Sequence, residues 1–184
     1  MPSRRETLAG AGALGASAGL WWLLTGEPPH TDDVMLKRVD VSWRDGDTRW
    51  NGYLLRSVHG PRGELVVSHD PSYVGESVSG SGRVALSERV HERLERQFLD
   101  VEYLVGVCGT APGDDCAFES RRVSRRAFNR LRLGCPATVL GLDDGLFVLD
   151  ATAGCGATRA VEVRAFDFDR RHEGRTTGGR DSLG

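Results

Sequence analysis

The feature that most constrains this chain is a run of seventeen residues, Leu8 to Leu24, that carries no charge. It is mostly alanine and glycine and ends in Trp21-Trp22-Leu23-Leu24. As a helix rising ~1.5 Å per residue it would be about 25 Å long, just short of a ~30 Å hydrocarbon core. Such a segment is a signal that is removed or a marginal membrane anchor. It is not part of a water-soluble core. Ala16-Ser17-Ala18 has the small-x-small form of a cleavage site, yet cutting there leaves Trp21 to Leu24 on the new N-terminus. An uncut anchor instead places Trp21 and Trp22 at the membrane interface. No cysteine lies in the segment, which excludes a lipoprotein anchor. Gly10-Ala11-Gly12-Ala13-Leu14-Gly15 spells G-x-G-x-x-G, but no strand precedes it, so it is not a dinucleotide loop.

Positive charge precedes this run. Ser3-Arg4-Arg5-Glu6-Thr7-Leu8 resembles the twin-arginine signal S-R-R-x-F-L-K, which routes folded proteins across a membrane. Arg4 and Arg5 match the arginine pair and Leu8 the leucine; Thr7 stands in place of phenylalanine and Ala9 in place of lysine. The resemblance covers residues 3–24 only. It implies a protein that is exported, either extracellular or anchored to the outer face of the cytoplasmic membrane. Its one expected membrane contact is this N-terminal segment.

With residues 1–26 set aside, about 158 residues remain, which suits one domain able to bury a core without disulfides. That part holds 22 basic and 25 acidic residues, a net of −3. Such a balance, with no aromatic interleaving among the basic residues, gives no field that would recruit nucleic acid. Lys37 is the only lysine; the other basic residues are arginines.

The patterning predicts a β-rich α+β domain, a small sandwich or barrel-like fold of antiparallel strands with one packed helix. Residues 27–33 read as a proline-containing linker, 34–169 as the globular domain and 170–184 as a disordered tail. Val39, Val41 and Trp43 alternate in a first strand, 34–43. Turns at Arg44–Thr48 and His59–Gly63 lead to strands at 50–58 and 64–69, an antiparallel meander. Leu86, Val90, Leu94 and Phe98 recur every four residues and predict a helix over about 84–98, capped by Ser87, with Glu88 and Glu92 near Arg96. Strands follow at 101–108 and 116–123, then a short segment of undecided type at 124–133. Phe128 to Gly134 followed by Thr138-Val139-Leu140 faintly resembles the glycine-turn-then-strand segment of small β-barrels, too little to assign a family. Asp143-Asp144-Gly145 joins a hairpin of 137–142 and 146–151. The phase of the apolar residues slips between Ala165 and Phe166, which predicts a bulge in the last strand.

The cysteines are Cys108, Cys116, Cys135 and Cys155. In an oxidising compartment an even number favours disulfides. Pro112 lies midway between the first two and Gly145 midway between the last two, each inside a proposed turn. Pairs Cys108–Cys116 and Cys135–Cys155 therefore face one another across hairpins. No C-x-x-C pair is present, which argues against a zinc or iron–sulfur knuckle, and no metal or other cofactor is expected.

Chemistry-bearing candidates are few. His69 and Asp70 end the third strand beside a loop holding Ser72, Ser77, Ser79 and Ser81, the raw material of a nucleophilic triad. Neighbours on a strand point to opposite faces, however, and no G-x-S-x-G elbow is present. His91 shares a helix with Glu88, Glu92 and Glu95. Arg121, Arg122, Arg125, Arg126, Arg130 and Arg132 form the densest basic run and suit an anionic surface or protein partner. The expected function is a non-catalytic binding or envelope-associated module. An exported hydrolase using His69 with a loop serine and a thiol-based metal or redox protein are the alternatives.

Overall fold

The computed structural model describes residues 28–109, 120–142, 145–152, 158 and 160–173. Eight strands form one mixed sheet: β1 (His30–Asp45), β2 (Thr48–His59), β3 (Glu64–His69), β4 (Asp100–Gly109), β5 (Ser120–Val123), β6 (Pro136–Leu142), β7 (Gly145–Ala151) and β8 (Ala160–Ala165). Among the described residues four short helices join them: α1 (Pro71–Val74), α2 (Glu88–Gln97), α3 (Arg125–Arg130) and α4 (Phe168–Arg171). The β-rich α+β architecture is the one expected from the patterning.

The sixteen-residue β1 organises the sheet because its two edges serve three partners. One edge pairs with β4 from Asp32 to Ser42. The other pairs with β6 at His30 to Asp33 and then with β2 from Leu36 onward. The strand order is β5-β4-β1-β2-β3-β8, with the β6–β7 hairpin branching from the start of β1. That hairpin turns back toward β5: a Cβ built on Gly145 would lie 2.8 Å from the Arg122 carbonyl oxygen. The β1, β4, β5, β6 and β7 end therefore curls toward a barrel, while β2, β3 and β8 continue as an open sheet.

Local chemistry sets the turns and register. Gly46, at φ 58°, opens the two-residue turn between Asp45 and Thr48, a conformation that favours glycine. The β1–β2 register skips Leu54 between Val39 and Asp40. Because of this bulge, consecutive Leu54 and Leu55 are both fully buried, which strict alternation would forbid. Helix α2 is capped by Ser87 as expected, the hydroxyl accepting from Val90 N–H, and it buries Val90 and Leu94; it spans Glu88–Gln97 and not 84–98, since Leu86 lies before the cap and Phe98 is the C-cap. The expected link from Glu88 to Arg96 is replaced by an ion pair between Glu88 and Arg125 of α3. The undecided segment 124–133 contains α3, capped by Ser124 and anchored by the fully buried Phe128.

Several features differ from the sequence reading. Strand β1 begins at His30, inside the proposed linker 27–33, because β6 supplies a partner for its first residues. Strand β8 runs parallel to β3, where antiparallel strands were expected. About ninety residues separate the two, so no tight turn dictates their relative direction. The phase slip after Ala165 is not a bulge. β8 ends there, Asp167 caps α4 by accepting from Arg170 N–H, and Phe168 returns to the core at 2% exposure. Residues 170–173, assigned to the disordered tail, thus belong to the end of the fold; Arg171 lies over the Phe166 ring at 3.9 Å. The segment 71–82, read as loose, holds α1, a short 3-10 turn and a bridge between Val78 and Val84.

Candidate functional site: a polar groove on the outer sheet face

Alternation along β1 sends Val39, Val41 and Trp43 into the core and Arg38, Asp40 and Ser42 to the opposite face. Register adds Glu102 beside Asp40 and Asp100 beside Ser42 from β4, and Asn51 beside Ser42 from β2. With Arg49 and Leu104 these residues line a groove of about 400 Å³. Its walls are mixed in charge, two arginines against three carboxylates.

The groups hold one another in place. Arg38 pairs with Asp40 at 2.7 Å. Arg49 donates to the Ser42 hydroxyl at 2.9 Å and reaches Asp100 at 3.4 Å. Arg122 pairs with Glu102 from β5. Burial raises the Asp40 pKa above the usual carboxylate value; the Arg38 charge and hydrogen bond oppose the rise and Glu102 adds to it. Two atoms of the Arg38–Asp40 pair stay unsatisfied: Arg38 Nε, a donor, and Asp40 Oδ1, an acceptor. Both atoms are shielded from solvent as well as unpaired among the described residues, and buried polar atoms are normally paired, so the pair carries a desolvation cost that no hydrogen bond offsets.

On the opposite face of β1 lies a second unusual group, which the sequence flags only as the sole lysine. Lys37 is two residues before Val39, so alternation turns it inward, and it is 2% exposed. Its ammonium donates to the carbonyls of Val84 at 3.1 Å and Leu131 at 3.0 Å and sits 4.2 Å from the Phe128 ring centroid. Among the described residues no carboxylate pairs with it there. Burial, reinforced by Arg83, lowers its pKa to about 7. The lysine ties β1 to the 83–86 segment and to the end of α3, and nothing opens it to a substrate.

The proposed triad residues are placed for structure. Asp70 is 2% exposed and both its oxygens are taken. One accepts from Ser72 N–H at 2.7 Å, capping α1, and the other from Phe168 N–H at 2.6 Å. His69 is nearly buried, its Nδ1 unpartnered, and burial lowers its pKa against the pull of Asp70 and the Arg164 backbone. Ser72 is exposed and its backbone, not its hydroxyl, meets Asp70. His91 does not gather its helix neighbours into a cation site. Its Nδ1 meets the Tyr103 hydroxyl at 2.8 Å and its Nε2 lies 3.4 Å from Glu95.

The arginine run is divided among tasks. Arg122 engages Glu102, and Arg125 engages Glu88 and the Leu86 carbonyl. Arg121 and Arg132 also have partners. Arg126 and Arg130, one turn apart on α3, remain exposed. Of the cysteines, Cys116 and Cys155 lie outside the described residues, and so do Arg4, Arg5 and the segment 8–24. Neither Cys108 nor Cys135 is a free thiol. Cys108 pairs in register with Asp33 on one edge of β1, and Cys135 accepts from Val34 N–H on the other. Two interstrand spacings of ~4.8 Å hold them about 10 Å apart, too far for a bond to each other. This removes one of the three connectivities and leaves the hairpin pairing as one of two. Among the described residues no group of three His, Cys, Asp or Glu side chains converges as for a metal ion, and no helix is long and apolar enough to cross a membrane. Compared with known proteins, the chain matches no family model, no curated protein and no solved structure, so its site is read from its own geometry.

Proposed function

We propose that this protein is a non-catalytic binding domain, exported or tethered to the outer face of the cytoplasmic membrane by its N-terminal segment. It takes a small polar ligand in the groove between β2, β1 and β4. The observation that supports this reading most is the mixed charge of the groove wall, where Arg38 and Arg49 stand against Asp40, Asp100 and Glu102. A small amide flanked by opposite charges presents groups complementary to both signs; a simple anion answers only the arginines. Exposed Arg126 and Arg130 suit an anionic envelope surface nearby, and disulfides Cys108–Cys116 and Cys135–Cys155 suit an oxidising compartment.

Glycylglycine, which carries an amide between opposite charges, is the probe. Titrated into the full chain in nonionic detergent, it is expected to move the amide resonances of Arg38, Asp40 and Ser42. Asp40→Ala should abolish the response. Shifts elsewhere on the molecule, or none at saturation, would reject the groove. Intact mass from the native host tests the location: four mass units gained on reduction establish two disulfides, whereas four free thiols on a full-length chain oppose export.

A further inference from the structure

Strand β8 is the last strand of the sheet and, among the described residues, pairs with β3 alone. All six of its residues are exposed, which is unusual for the sequence Ala-Val-Glu-Val-Arg-Ala. Its parallel register sets Leu65 beside Val161 and Val67 beside Val163. Leu65 and Val67 are buried, at 6% and 0%, while Val161 and Val163 are 39% and 42% exposed. The apolar face of the sheet therefore runs past the edge of the folded chain.

The backbone at that edge is also oriented. Phe166 N–H donates to the His69 carbonyl. Peptide groups alternate along a strand, so the even-numbered residues face β3, and Val161, Val163 and Ala165 aim their N–H and C=O outward. These outward groups have no partner among the described residues. Such an edge is a template for another strand.

We infer that β8 pairs with β8 of a second copy of this chain, antiparallel and centred on Val163. The occupant is argued from charge. Glu162 and Arg164 share one face and pair with each other at 2.7 Å through two contacts. A two-fold axis at Val163 sets Glu162 opposite Arg164 of the second copy, and Arg164 opposite its Glu162. Both charges find opposites twice, in the wider-spaced pairs where side chains approach most closely. On the other face Val163 meets Val163, and Val161 meets Ala165. Outward N–H and C=O groups coincide at all three of these pairs. A shift of one residue along either strand destroys both the charge match and the hydrogen-bond match. The two eight-stranded sheets become one, and the isologous contact closes on itself.

The test is sedimentation of the full chain in nonionic detergent over a range of protein concentrations. Wild type is expected to show a concentration-dependent dimer. Glu162→Arg, which sets like charges opposite each other twice, should be monomeric, and Glu162→Arg with Arg164→Glu should dimerise again. Val163→Pro is the second variant. Its lost N–H points away from β3, so the fold should persist, by circular dichroism, while the dimer is lost. Amide exchange at Val161, Val163 and Ala165 should slow as protein concentration rises. A dimer indifferent to Glu162→Arg, or one that the double swap does not restore, overturns the pairing. So does a chain that stays monomeric with those three amides protected, which would place another segment of the same chain on the edge.

Discussion

Replacing Lys37 by methionine separates an ordinary surface ammonium from a buried amine with a pKa near neutrality. In the fold its pKa falls from 10.5 to about 7, first through burial and then through Arg83. Between those two values the unfolded chain holds a proton that the folded chain lacks, so the lysine's contribution to stability rises with pH. It rises by ~1.4 kcal/mol per pH unit, and below the folded pKa it is flat. From pH 7, where the amine is half titrated, to pH 9 wild type should gain about 2 kcal/mol from this one group. Methionine removes that gain. It also removes the cost of a buried charge, and it leaves the Val84 and Leu131 carbonyls unpaired at ~1–3 kcal/mol each. The opposing terms should keep the variant within a few kcal/mol of wild type at pH 6.5. By pH 9 it should fall behind by about 3 kcal/mol more. Urea denaturation of both proteins at several pH values reads this directly, because every other titrating group is common to both and cancels in the difference. A stability difference that does not change between pH 6.5 and pH 9 would refute the reasoning and return Lys37 to an ordinary pKa.

Asp70→Ala should cost about 3 kcal/mol, since it removes a helix cap and strands the buried Phe168 N–H; faster amide exchange at residues 166–172 would accompany the loss in chemical denaturation. Phe168→Ala should cost ~3–5 kcal/mol by the same assay, because its ring is 2% exposed and packs edge-on against Trp43 at 5.2 Å and Phe98 at 5.8 Å. Gly82→Ala should lower stability by about 2 kcal/mol in thermal melts. It forces a side chain onto φ 75° and sets a Cβ 2.6 Å from Leu65 Cδ2 and 2.8 Å from Val161 Cγ1.

The strand-turn pattern made most elements legible because each carries its own signal. Alternation marked β1 through Val39, Val41 and Trp43, the four-residue spacing of Val90 and Leu94 marked the buried side of α2, and Ser87 marked its cap. Asp143-Asp144-Gly145 pointed to the β6–β7 hairpin, whose two strands do pair. The candidate groove was not legible. It draws on β1, β2 and β4, and Arg38, Asp40 and Ser42 read individually as the solvated side of a strand until the register sets Glu102 and Asp100 beside them. The triad candidates misled because adjacency in sequence says nothing of where Asp70 finds its donors; one of them, Phe168, is ninety-eight residues away.

Sequence alone determined the local structure: the strands, the tight turns, the helix with its cap, and a polar face on β1. These follow from side-chain period and backbone preference, which act over a few residues. Only the tertiary structure decided the pairing. The three partners of β1, the parallel seat of β8 on β3 and the return of Phe168 to the core depend on which distant surfaces bury the most apolar area together. It likewise decided the electrostatics, for the pKa of Lys37 is set by the absence of water around it, and that absence is made by Val84, Phe128 and Leu131 arriving from elsewhere in the chain.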